Sequence, residues 1–334
     1  MYKRIAEIAA RLLLVIGWIV LLAPQAIPTQ AQSETPVNPI EPVIPSEPLR
    51  VPETPPLTDP ASLDDPALLE TNASLEDGYV LSGKGLKAVV FVGPIDGDAG
   101  TGTLEQVTYA KQTAATLRAY GMTVYEYYPD NPKANWANIK VAAQGAHILV
   151  YRGHGVAIAN TNPLQVGGLW LRGGEYVSND QIRAELRPAN NFIIMMYGSY
   201  TAGSTSGDTV SIGLEEAKRR VTQYSDPFFD IGAGAYYADW FGDAFTSYIN
   251  ALMKGNTHRY AYTNFYDYTK GMLWSGPHPT QPTEQLWMGW DEWYDPKPQW
   301  NNVFIGQPDT TLQQMFGLSK TSLNNKVFVP FMKR

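Results

Sequence analysis

The sequence predicts an α/β protein, a mostly parallel sheet with helices on both faces. Three observations carry this. Short apolar runs alternate with segments of helical period between residues 86 and 253. The runs are nearly solid rather than alternating, as expected of strands covered on both sides. Gly and Pro punctuate the ends of most of them.

Leu86–Val92 (LKAVVFV) is a buried strand stopped by Gly93-Pro94. Leu104–Tyr120 places Val107, Ala110, Ala114, Leu117 and Tyr120 on one helical stripe and stops at Gly121. Met122–Tyr128 is a second strand, ended by Pro129-Asp130-Asn131-Pro132, and Trp136–Ala143 a short helix before Gly145. Ala146–Tyr151 (AHILVY) is the third strand. Asn179–Leu186 is a helix with Ser178 placed to cap it. Phe192–Tyr197 (FIIMMY) is the fourth strand, Gly213–Thr222 a helix, Phe228–Tyr237 a fifth strand, and Phe241–Met253 a helix closed by Gly255. Right-handed crossovers bring the C-terminal ends of parallel strands to one edge, where open α/β sheets build their sites.

Ahead of this domain the chain changes character. Of 334 residues, 25 are Lys or Arg, 32 are Asp or Glu, four are His and none is Cys. Residues 1–31 carry a net charge of +2, residues 32–78 hold ten acids and one base, and residues 79–334 hold 21 of each sign. A neutral folded part without a basic stripe argues against nucleic acid as a partner. Lys3 and Arg4, the apolar run Leu12–Ala23 and the small residues Thr29 and Ala31 read as an export signal over 1–31. An uncleaved anchor is the alternative, but a span needs about 20 mostly apolar residues, and Pro24, Gln25, Pro28 and Thr29 interrupt the run. A secreted or cell-surface protein is expected, touching the membrane only through that signal. Residues 32–78 form an acidic linker with ten prolines between Pro36 and Pro66. This composition predicts an extended, polyproline-like, largely disordered spacer. The α/β domain is placed at 79–318, with an aromatic-rich region at 256–303 and a tail at 319–334.

Two strand ends carry chemistry. The third strand runs into Tyr151-Arg152-Gly153-His154-Gly155, the fourth into Tyr197-Gly198-Ser199-Tyr200-Thr201-Ala202-Gly203. If the strands are neighbours, about 4.8 Å apart, His154 and Ser199 project from adjacent loops. The glycines around His154 leave its ring accessible. Gly155 and Gly198 can expose backbone N–H groups for an oxyanion.

This pattern resembles the caspase–haemoglobinase fold cysteine peptidases, a group that includes caspases, legumains, clostripain and gingipains. Bacterial members often read NGCYTAG at the second motif, where this chain reads YGSYTAG. Gly232-Ala233-Gly234-Ala235, Asp239 and Asp243 before a helix bearing Phe245 and Tyr248, and Phe304-Ile305-Gly306-Gln307-Pro308-Asp309 extend the likeness over residues 86–312. The resemblance implies a caspase-like fold, a peptide or protein ligand, and a His154/Ser199 site with Ser199 at the position of the family's catalytic Cys. A thiol ionises readily, whereas a hydroxyl needs an aligned base. Three readings compete: a natural pseudoenzyme, an engineered inactivation, or a working serine nucleophile, ranked last.

Other chemistries find less support. An α/β-hydrolase elbow requires Gly-x-Ser-x-Gly, and Tyr197 and Thr201 occupy those glycine positions. His147, His154, His258 and His278 lack paired metal-ligand spacing, and neither metal nor cofactor is expected. Asp96, Asp98 and Asp208 are candidates for selecting a Lys or Arg side chain, Asp96 and Asp98 alternatively being turn formers. Five of nine tryptophans lie at 274, 287, 290, 293 and 300. They read as a packed, mostly irregular flap, or else as an adhesion surface.

Overall fold

The computed structural model of the chain describes residues 42–43, 79–292 and 298–322. Residues 1–31, expected to be an export signal, and all but two residues of the linker expected at 32–78 lie outside them. Contacts divide the chain into residues 1–40 and 41–334, and the description concerns the second unit.

Five parallel strands form the heart of the domain: β1 (Lys87–Val92), β2 (Thr123–Tyr127), β3 (Ile148–Arg152), β4 (Phe192–Tyr197) and β5 (Ala233–Asp239). Helices α1 (Thr101–Ala119), α2 (Trp136–Ala142), α3 (Asn179–Glu185) and α4 (Leu214–Phe229) connect them. Then come α5 (Ala244–Met253), α6 (His258–Thr263), three antiparallel strands β6 (Leu273–Pro277), β7 (Gln285–Asp291) and β8 (Gln299–Gly306), and α7 (Leu312–Phe316). The eight-stranded sheet runs β6-β7-β8-β5-β4-β3-β1-β2. Its parallel part therefore has the order 2-1-3-4-5, a doubly wound arrangement with its reversal beside β1 and β3.

Period-two alternation divides the core between the two faces. Ala88, Val90, Ile148, Val150, Ile193 and Met195 meet α1 and α5 through Val107, Ala114, Phe245 and Tyr248. Val89, Phe91, Leu149, Ile194 and Met196 meet α2, α3 and α4 through Trp136, Ile182, Val221 and Phe228. Each such Val, Leu, Ile, Phe or Met side chain contributes about 1.5–3 kcal/mol on burial, and burial on both faces is why the strands read as solid apolar runs. Among the described residues no helix is long and apolar enough to cross a membrane.

Three local expectations need correction. The strand expected from Phe228 begins at Ala233, because Phe228 and Phe229 form the last turn of α4. Pro227 sits inside that helix. It has no N–H for the Gln223 carbonyl one turn back, and that carbonyl instead accepts a bond from Asn179 Nδ2 at 2.9 Å. The aromatic-rich region expected to be irregular contains the β6–β8 meander, because Pro279 and Pro282 fall in the turn between β6 and β7. Trp287 and Trp300 are buried. Trp300 packs edge-on to Trp290 at 5.4 Å, and Trp287 lies on Tyr262 and Phe304. The linker residues Pro42–Val43 pair antiparallel with Ala157–Ile158, so this part of it is not free of the domain. Lys320–Ser322 pairs with Tyr79–Leu81.

An acidic pair, Asp239 buried and Asp267 half-buried, lies where the meander joins the parallel strands. Asp239 accepts bonds from Tyr237 Oη at 2.9 Å and Phe241 N at 2.8 Å. Asp267 accepts one from Asn302 Nδ2 at 2.7 Å. Burial raises both, Asp267 to about 7, and each faces a neighbouring carboxylate. The folded protein then holds more protons than the unfolded chain from about pH 4 to 7, so this pair's contribution falls as pH rises through that window. His258 and His278, pushed down to about 3 and about 4 by burial, act in the opposite sense below pH 6.5. Asp267→Asn keeps an acceptor for Asn302. It should raise stability at pH 8 by on the order of 2 kcal/mol, about 4–8 °C in Tm, and leave it unchanged near pH 4. Thermal unfolding across pH checks this.

Candidate functional site

The parallel register of β3 and β4 decides the geometry of the site. Tyr197 stands opposite Arg152, the last pair of the two strands, so Ser199 and His154 each lie two residues beyond it on adjoining loops. Gly153 N donates to Tyr197 O at 3.0 Å, carrying the pairing past the strand ends. The two loops then touch through glycine. A Cβ on Gly155 would lie 1.6 Å from Ser199 O, and one on Gly198 would lie 2.8 Å from Gly153 O. These positions exclude any larger residue. Among the described residues the backbone N–H groups of Gly155, Gly198 and Ser199 donate to no other protein group.

His154 is buried, 6% exposed, and its Nε2 lies 2.5 Å from Ile95 O. A carbonyl can only accept, so Nε2 carries the proton and Nδ1 is the basic nitrogen of the neutral ring. Burial pushes its pKa below the usual value, while the Ile95 carbonyl and the charge of Asp96 pull it back up. Ser199 is 4% exposed. Among the described residues no hydrogen bond joins its hydroxyl to His154. The serine has a histidine neighbour but not an aligned base.

The turn after Ser199 is tightly held. Tyr200 has φ 68°, a left-handed conformation that is costly for a bulky side chain. It is fixed by Tyr200 N to Ser204 O at 2.8 Å and Gly203 N to Tyr200 O at 3.0 Å. The Arg220 guanidinium lies 5.2 Å from the Tyr200 ring centre. Tyr236 Oη donates to Thr201 O at 2.8 Å, and Thr201 Oγ1 donates to Gly198 O at 2.7 Å.

The three acids expected to select a cation have other partners. Asp96 accepts bonds from Gly102 N and Thr103 N, both at 2.9 Å, and from Thr103 Oγ1 at 3.0 Å. Burial would raise its pKa, but those bonds outweigh it and hold the carboxylate below its ordinary range. Asp96 thus ties the loop after β1 to the start of α1. Asp98 lies 3.4 Å from Arg172 Nε. Asp208 receives both its oxygens' bonds from Arg220 Nη1 at 2.9 Å and a further one from Thr205 N. Burial raises its pKa against the opposing charge of Arg220. That guanidinium already balances Asp208, which is therefore not a free counter-charge for an incoming Lys or Arg.

Sequence reasoning passed over Arg152, the one charged residue in the apolar strand β3. It is fully buried, with Nε donating to Gln106 Oε1 at 2.9 Å. The rings of Tyr109, Tyr197 and Phe245 surround its guanidinium at 5.2, 4.5 and 4.8 Å. Its Nη1 and Nη2 have no hydrogen-bond partner among the described residues. Cation–π attraction, worth up to about 2 kcal/mol when desolvated, offsets part of the cost of burial. A cation ending an otherwise apolar run two residues before the histidine was the available signal. Among the described residues no group of three or more His, Asp or Glu side chains is placed to hold a metal ion. An open groove at the far edge, between α1 and β2, is lined by Lys111, Arg118, Glu126 and Tyr128. It lies apart from these loops, and Arg118 and Glu126 pair with each other there.

No protein-family model matches the chain, and no curated protein matches it. A functional reading therefore rests on the α/β fold with its large, mostly parallel sheet and on the geometry of the two loops.

The His154 environment has a measurable consequence. Its imidazole should titrate below pH 6.5 by NMR, and Asp96→Asn should lower the midpoint further by removing a favourable charge. Gly155→Ala should destabilise the fold by about 1–3 kcal/mol, since the loops must separate, measurable by thermal unfolding.

Proposed function

We propose that this chain is an exported homologue of the caspase–haemoglobinase fold peptidases, with a peptide-binding cleft at His154 and Ser199 and without an effective nucleophile. The observation that supports this reading is that the two residues follow the ends of neighbouring parallel strands, in loops interlocked by Gly155 and Gly198. The motifs YRGHG and YGSYTAG supply the residue types that the resemblance requires. Export rests on the signal-like residues 1–31.

The geometry favours a silent site over a serine peptidase. A hydroxyl must surrender its proton as it attacks, and a base has to be hydrogen-bonded to receive it. His154 spends its Nε2–H on Ile95 O, and among the described residues its basic Nδ1 has no hydrogen bond to the Ser199 hydroxyl. A thiol at the same place would ionise with little help. Its sulfur would bond to the scissile carbonyl carbon, with the backbone N–H groups receiving the oxyanion. The C–N bond would break as the leaving nitrogen took a proton by way of the histidine, and water would then release the acyl group. Because Asp96 and Asp208 are already bonded to the protein, no preference for Lys or Arg is assigned.

The test compares wild type, Ser199→Cys, and Ser199→Cys combined with His154→Ala on a mixed peptide library. Cleavage only by Ser199→Cys is expected, at least about a hundredfold above the other two, since general acid–base catalysis contributes about 10²–10⁴-fold. Strong wild-type cleavage abolished by Ser199→Ala would establish a serine nucleophile and overturn the silent-site reading. Inactivity of all three folded chains would overturn the peptidase-scaffold reading.

A further inference from the structure

A short ribbon follows the site histidine directly. Ala157–Ile158 pairs antiparallel with Gln165–Val166 on one side and with Pro42–Val43 on the other. The register sets Val43 opposite Ala157 and Pro42 opposite Ile158. The segment therefore runs from Ile158 towards Ala157, in the direction of His154 three residues earlier.

The ribbon is anchored to the scaffold. Val166 N donates to Gln223 Oε1 on α4 at 2.9 Å, and Gln165 N donates to Thr161 Oγ1 at 2.7 Å. Val156, between the ribbon and the site, has both backbone groups occupied. Its N–H donates to Tyr224 Oη, and its carbonyl accepts from Gly167 N at 3.0 Å and from Tyr224 Oη at 3.1 Å. The bond from Gly167 carries the pairing with the 165–166 strand one residue further towards His154. Gly155 in turn rests against the Ser199 carbonyl. The same backbone thus links a strand edge to both site loops, and an extended segment lies on that edge. Strand addition gains affinity from main-chain bonds and is sequence-tolerant for that reason.

We propose that the outer edge of Ala157–Ile158 is where the cleft's extended peptide ligand pairs, and that the chain's own Pro42–Val43 is its resident occupant. This deepens the peptidase-homologue reading and rests on it for the word ligand; the docking itself is independent of catalysis. The acidic linker then has a second role besides spacing: it keeps a weak peptide close to the edge at high effective concentration, so that only a better-fitting peptide displaces it.

The absence of native cysteine makes the test clean. In the full chain, Val43→Cys with Ala157→Cys should form an intramolecular disulfide under mild oxidation. It should do so at least about tenfold faster than Val43→Cys with Val210→Cys, whose second position is exposed on another loop, because docking raises the local concentration of one thiol near the other. A fluorescent synthetic peptide of residues 38–48 should bind the reduced Val43→Cys/Ala157→Cys chain and lose at least about tenfold in affinity once the bridge closes, the edge then being permanently filled. Equal bridging rates in the two pairs would overturn the resident-occupant assignment. Rapid bridging with peptide binding unchanged would overturn the assignment of this edge to the ligand. Rapid bridging and blocked binding, with Ser199→Cys inactive on peptides, would uphold this inference while the peptidase reading fell.

Discussion

The parallel pairing of β3 with β4 is the constraint on which the site depends. Residues 148–152 pair one-for-one with residues 193–197, and both strands lie inside the sheet, buried on both faces. Strand register is fixed wherever faces are buried, because a slip of one residue would turn every side chain onto the wrong side. The loops inherit that register. The loops bearing His154 and Ser199 adjoin because Ile148 and Ile193 pair, and Gly155 and Gly198 allow the backbones to close to contact. The site is thus an extension of core packing, and a one-residue insertion in either strand end would disassemble it without touching a side chain.

The electrostatics around the site are largely settled within the protein. Asp96 serves the start of α1, Asp208 is paired with Arg220, and Arg152 is enclosed by aromatic rings. His154 is neutral and hydrogen-bonded to a carbonyl. The proposed cleft would then rely on backbone N–H groups and small residues more than on free charges. That matches a ligand recognised through its main chain, and the Ala157–Ile158 edge provides the matching kind of contact. Carboxyls elsewhere add a separate cost: burial raises Asp239 and Asp267 above the ordinary carboxylate range, so ionising them opposes folding.

Much of this architecture was legible because apolar strands and glycine-ended helices leave strong local signals. FIIMMY reads as a strand buried on both faces, and it is one. The failures have physical causes. Phe228 and Phe229 resemble a strand start but are the buried face and last turn of a helix that tolerates Pro227 because Asn179 takes the orphaned carbonyl. In QWNNVFIG the polar Asn301 and Asn302 interrupt the apolar pattern; they are buried, and Asn302 bonds to Asp267. At the site, residue types and loop placement could be read from the motifs. The partners of Asp208 and His154 could not, since Arg220 comes from α4 and the Ile95 carbonyl from the loop after β1. Long-range partners of this kind leave no mark in local spacing.

The proposed His154/Ser199 site would support acyl chemistry if it had an ionisable nucleophile. Intact-mass analysis after exposure to a peptidyl electrophile that alkylates active-site thiolates tests it most directly. The account predicts a single adduct, mapped to position 199, on Ser199→Cys, much slower labelling when His154→Ala is added, and none on the wild-type chain. An adduct forming equally fast with and without His154, or labelling of the wild-type serine, would contradict it.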